Sequence, residues 1–77
     1  MNLKESGKIV KYHRKVAGIT QKELADLAGV GKTVVYDLEK GKTTMRWNTI
    51  LAIFKVLNIS IQLNSPLMDK YHENEKS

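Results

Sequence analysis

Apolar residues recur three and four positions apart through the first 57 residues, and the period changes only after that. In residues 3–17, LKESGKIVKYHRKVA, the positions Ile9, Val10, Val16 and Ala17 share one helical face. Lys4, Lys8, Lys11 and Lys15 follow at steps of four, three and four, so they line another face, read most simply as solvated. Gly18 is placed to close this helix as a left-handed cap. A second helix is signalled by Thr20, whose hydroxyl can cap free amides, with Glu23 three residues on to complete a capping box. Leu24, Leu27 and Ala28 give it an apolar face and Gly29 a stop. GKTVVYDLEKG follows at once, with Val35 and Leu38 three apart and Gly41 as its end. RWNTILAIFKVL then sets Trp47, Ile50, Leu51, Phe54 and Leu57 on one stripe, where Trp47 reads as core rather than as a platform for a base.

NISIQLN breaks the rhythm: Ile59, Ile61 and Leu63 alternate with Ser60 and Gln62, the period of a strand. A lone strand needs partners for its amides and carbonyls, and no other segment alternates in the same way. The economical partner is the same strand of a second copy, paired antiparallel about a two-fold axis. A short fifth helix or an ordered coil is the competing reading. Pro66 and DKYHENEKS read as a frayed polar tail. The expected organisation is one domain over residues 1–63 and a flexible tail over 64–77.

Composition narrows what such a chain can be. Its 77 residues allow one small domain whose core is marginal without a staple or a second copy. There is no cysteine, and the two histidines are far apart, so no disulfide, metal site or cofactor is expected. Oligomerisation is left as the source of extra stability. No run approaches the roughly 18 apolar residues of a membrane span, and MNLKESGK has no apolar signal core behind it, so the expected setting is the cytoplasm without a membrane partner. Residues 1–63 hold eleven Lys and Arg against five Asp and Glu, a balance of +6; residues 64–77 hold two against three, a balance of −1. A basic folded part suits a polyanion.

Gly31-Lys32-Thr33 matches the end of a phosphate-binding P-loop, which the rest of the chain rejects. The glycine required five residues before the Gly-Lys pair is Asp26, and a helical segment stands where a buried strand should lead in. Two helices of about two turns joined at Gly29-Val30-Gly31 fit better. Ala25 is small where the axes cross, and Leu24, Ala28, Val35 and Leu38 supply the contacts between them. Such a pair can set its second helix into the DNA major groove.

ITQKELADLAGVGKTVVYDLEKGK resembles the helix-turn-helix of the Cro/phage-repressor (XRE) family. Thr20, Gln21, Leu24, Ala25, Gly29, Val30, Val35, Leu38, Glu39, Gly41 and Lys42 fall on its pattern without a gap, and the match runs on through Trp47, Thr49, Ile50 and Leu57. Gly31 departs from it, standing where the family usually has a Ser or Thr cap. The resemblance implies a mostly α, four- to five-helix, lambda-repressor-like domain. The expected C-terminal β-strand is a second departure, standing in place of the family's usual fifth helix, and resembles the strand that pairs across the homodimer in the HipB-like antitoxins.

With Val35 and Leu38 turned inward, Lys32, Thr33, Tyr36 and Asp37 point outward near the helix start, where side chains reach base edges. Lys32 can donate to guanine O6 and N7, Thr33 can bond either way or meet a thymine methyl, and Asp37 can accept from cytosine N4 or orient a nearby lysine. Tyr36 can touch a base edge, a methyl or a phosphate, and Val34 is shared between a methyl contact and partial burial. The resemblance implies that Gln21 bonds a backbone phosphate and that Glu39 pairs with a basic residue nearer the N-terminus, for which Arg14 is the candidate. Lys40, Lys42, Thr43 and Arg46 follow the recognition helix and are expected on the flanking phosphates, while Ile59, Ile61 and Leu63 are expected at the dimer contact.

The leading expectation is a dimeric repressor, associated with the bacterial nucleoid, that binds an inverted-repeat operator. The resemblance further implies an antitoxin that neutralises a HipA-like kinase toxin and represses its own operon; the alternative is a stand-alone phage or host repressor. An enzyme has little support, since no nucleophile, base and orienting group emerge together.

Overall fold

The computed structural model describes residues 2–76. Its five helices are α1 (Leu3–Ala17), α2 (Gln21–Ala28), α3 (Lys32–Glu39), α4 (Trp47–Val56) and α5 (Met68–Lys76). The first two begin and end where their capping residues dictate. Asn2 Oδ1 accepts the Glu5 amide at 2.8 Å, and Gly18 closes α1 at a φ of 72°. At α2 the Glu23 amide donates to Thr20 Oγ1 at 3.0 Å, and the Thr20 amide returns the bond to Glu23 Oε1 at 2.9 Å. Gly29, at a φ of 71°, ends that helix and starts the turn.

α3 starts on Gly31 with no side-chain cap, so packing has to hold it. α2 packs on α3 and α4, and α1 packs on α3. Val10, Leu24, Ala25, Val35, Leu38, Ile50, Ile53 and Phe54 meet in one core, all of them buried. The crossing of α1 and α3 is the tightest point. A methyl group on Gly7 would collide with the Leu38 carbonyl oxygen, so glycine is what lets the two backbones approach.

The apolar stripes are wider in sequence than in the fold. Val16, Ala17 and Leu27 are exposed, and Trp47, expected in the core, is 55% exposed at the first position of α4. A short helix on a small core meets neighbours over only part of its circumference, and in a 77-residue chain the rest of the stripe has nothing to pack against.

The C-terminal segment also differs from expectation. Asn58, at a φ of 57°, turns the chain after α4, and residues 59–65 run on without helix. Among the described residues there is no strand: 59–63 has no segment of its own chain to pair with, so the predicted β-strand does not form within one protomer. Ile59 and Ile61 are half-buried against the core, whereas Leu63 is 75% exposed. The polar run expected to fray is helix α5. Ser65 and Pro66 start it: the Leu67 amide donates to Ser65 Oγ at 3.3 Å and the Met68 amide to its carbonyl at 3.2 Å. A serine cap followed by proline is a helix-start signal. None of the described α5 side chains is buried. The radius of gyration, 14.7 Å, exceeds the roughly 11.5 Å of a compact chain this long, because α5 extends away from the core. No helix among the described residues is long and apolar enough to cross a membrane.

Candidate nucleic-acid interface

Burial of Val35 and Leu38 fixes the rotation of α3 about its axis. Lys32, Thr33 and Tyr36 are therefore exposed, Lys40 continues their face, and Val34 and Asp37 are half-buried at its edges. Tyr36 and Lys40 are coupled, with the Lys40 ammonium 5.4 Å from the ring centroid. Asp37 does not orient Lys40 or Lys32; its carboxylate pairs with Lys42 at 3.5 Å. The Lys42 amide also donates to the Asp37 carbonyl at 3.0 Å, which folds the chain back after α3. Thr43 and Arg46 are exposed on the following loop.

A polar lock seats this helix from behind. Arg14 Nε and Nη2 donate to the two Glu39 carboxylate oxygens at 2.8 and 3.0 Å, and Nη1 donates to the Ile19 carbonyl at 2.9 Å. The Glu39 side chain is 3% exposed and that of Arg14 12%. The hydrogen bonds with Glu39 raise the Arg14 pKa above its ordinary value, outweighing the opposite pull of burial. A raised folded-state pKa stabilises the fold below the unfolded value and is lost only as pH rises through the folded one. Arginine titrates above the range in which the protein is handled, so Arg14 stays charged.

Gln21 Nε2 donates to Glu39 Oε1 at 3.2 Å, making the lock a bridge between α1, α2 and α3. One amide hydrogen of Gln21 remains, and the first amides of α2 have no partner within the helix. An open cleft here brings Arg14, Gln21, Lys22 and Lys32 together. Lys22 was missing from the sequence-derived set. Its position beside Gln21, in the first turn of α2, was the signal that could have found it; its ammonium lies 3.0 Å from Asp26. Gln21, Lys32, Thr33, Tyr36 and Lys40 thus belong to α3 or to the helix end beside it, with Val34 and Asp37 at the margin. Lys42, Thr43 and Arg46 form a second group after the turn. Ile59, Ile61 and Leu63 are elsewhere, lining a groove with Ile9, Trp47 and Ile50.

This is the architecture of a helix-turn-helix protein, and the chain belongs to that family: the Helix-turn-helix family model matches residues 10–64. The chain is also similar to an uncharacterised HTH-type transcriptional regulator, y4mF, of Sinorhizobium fredii (strain NBRC 101917 / NGR234). The two are 38% identical over 60 residues, which covers 78% of this chain and 79% of that protein. The family match takes in the segment after α4 and stops short of α5.

Proposed function

We propose that this chain is a sequence-specific DNA-binding transcriptional regulator, a repressor that occupies an inverted-repeat operator as a homodimer. The observation that carries the reading is the division of α3: Val35 and Leu38 are buried while Lys32, Thr33 and Tyr36 stand free beside them. Lys32 and Thr33, at the start of the helix, take the base edges; Tyr36 and Val34 take a methyl or backbone contact. Gln21 uses its remaining amide hydrogen on a phosphate, and Lys40, Lys42, Thr43 and Arg46 hold the flanking strand. The acidic groups serve structure: Glu39 holds Arg14, Asp37 faces Lys42 and Asp26 faces Lys22. Catalysis forms no part of the proposal.

The groove that joins Trp47 and Leu63 to Ile59 and Ile61 supports the dimer. A second copy lying antiparallel along residues 59–63 would pair the free backbone and cover these side chains. Two recognition helices would then read half-sites about one helical turn, 10 bp, apart. The finer reading, an antitoxin for a HipA-like kinase, rests on the resemblance of this C-terminal segment to the HipB-like proteins. Its test is copurification of such a kinase with the full chain.

Selection from random duplexes tests the main reading and should return a two-fold symmetric site. Lys32→Ala should relax preference at one base position by about 1–3 kcal/mol, whereas Lys42→Ala should weaken binding to all sequences alike. Recovery of no shared sequence would overturn the proposal.

A further inference from the structure

The lysine row of α1 takes no part in that interface. At about 100° per residue, Lys4, Lys8, Lys11 and Lys15 fall within a sector of roughly 60°. All four are exposed, and among the described residues none is in an ion pair. Glu5, the acidic residue of this helix, lies about 90° from the middle of the row.

The packing decides which side of the molecule the row occupies. Gly7 and Arg14, two of the α1 residues that meet α3, are about 70–90° from its centre. Ile9, which lines the groove assigned to the second copy, is about 130° away in the other sense. The row therefore lies nearer the recognition helix than the dimer surface. Its first member reaches the turn after that helix: Lys4 Cγ is 3.2 Å from where a Cβ on Gly41 would sit. Gly41 stands between Lys40 and Lys42, so the lysine row of α1 starts beside the proposed flanking contacts.

We propose that this ridge is a second track for DNA phosphates, engaged outside the operator. The inference rests on the DNA-binding reading above. From Lys4 to Lys15 the helix rises about 16.5 Å, the axial length of roughly five phosphates on one strand. Four unneutralised ammonium groups over that length match a linear polyanion better than a compact anion. The ridge carries no base-reading geometry, so it lends affinity and salt sensitivity and leaves sequence preference to α3.

The test replaces Lys8, Lys11 and Lys15 together by alanine and retains Lys4, whose stem packs on Gly41. Alanine at exposed helical positions keeps the helix, and an unchanged melting curve checks this. Two duplexes are compared: the selected site alone, and the same site extended by about one helical turn, roughly 10 bp, at each end. The wild-type chain should bind the extended duplex more tightly, with a steeper salt dependence, by about 0.9 in the log–log slope for each added phosphate contact. The variant should lose that advantage, about tenfold or more, and bind the short duplex as the wild type does. If the variant matches the wild type on both duplexes, or weakens equally on both, the ridge proposal is overturned while the regulator reading stands. The first of these outcomes would leave the ridge to an acidic protein surface. If the wild type binds neither duplex, both fall.

Discussion

The helix-turn-helix half and the chain beyond Asn58 are built by opposite rules. In the first, α1 and α2 carry caps at both ends, the near-buried carboxylate of Glu39 is met by Arg14 and Gln21, and the side chains between the helices are fully covered. In the second, the backbone of 59–65 has no strand to pair with among the described residues, and Leu63, Leu67 and Tyr71 face solvent. The first region closes its core within one chain. The second leaves Leu63, Leu67 and Tyr71 uncovered among the described residues, and the proposed dimer would cover apolar surface there. Substitutions should separate the two: large stability losses belong to the first region, losses of assembly to the second.

The largest loss is expected at Gly7. Helix propensity alone would make Gly7→Ala stabilising by about 1 kcal/mol. The new methyl would instead meet the Leu38 carbonyl, a backbone group that cannot move without displacing α3. Overpacking costs about 1–3 kcal/mol and occasionally more; a clash with rigid backbone belongs at the upper end, so it sets the sign. Calorimetry should show melting lowered by roughly 15 °C. An unchanged or higher melting temperature would mean that α1 does not press on α3 as described.

Next comes Arg14→Ala, which leaves Glu39 with Gln21 as its remaining partner. An unpaired buried charge costs about 3–5 kcal/mol; the partial exposure of the site and the bond from Gln21 reduce this to about 2 kcal/mol. Arg14→Lys should recover less than half, because an ammonium cannot span both carboxylate oxygens. Urea titration of the three proteins measures the order, and equal stability for the lysine and alanine variants would show that charge alone contributes nothing here.

A smaller pair sets the two eight-residue helices against each other. Thr20→Ala removes the cap of α2 and should cost about 1 kcal/mol. Gly31→Ser supplies the cap that α3 lacks. The φ of Gly31, −75°, suits any residue and its Cβ would meet open space, so a gain of a few tenths of a kcal/mol is expected. Thermal melts of both variants suffice, and a loss at Gly31 would mean that its backbone is needed free for another reason.

These caps show what could be read from the sequence. Thr20, Glu23, Gly18 and Gly29 act through neighbours three to five positions away, so their roles are written locally. The pairing of Arg14 with Glu39 came from the family pattern, and the structure gives it distances. What spacing could not give was which part of each stripe finds a neighbour. Leu27 and Trp47 have the same period as Leu24 and Ile50, yet they point past the edge of a core too small to reach them. Nor could spacing reveal that Gly7 marks a crossing, since the partner is more than thirty residues away. The Ser65-Pro66 start of α5 is present in the sequence, but Pro66 with the polar run after it reads as a tail.

The smallest effect is expected from the end of the chain. Ending the protein at Ser65 removes α5, whose described side chains are all outside the core. Exposed groups of this kind change stability by about 0.5 kcal/mol or less, so the melting temperature of the dilute protein should stay within a few degrees. The removed residues include none of the proposed DNA contacts, so DNA affinity should hold as long as the dimer does. Sedimentation equilibrium then divides the C-terminal region. A dimer that survives the truncation assigns assembly to Ile59, Ile61 and Leu63, and one that is lost assigns it to the Leu67 and Tyr71 face of α5. A large fall in the monomer's own stability would contradict both, because it would require α5 to be bound to a core that it does not join.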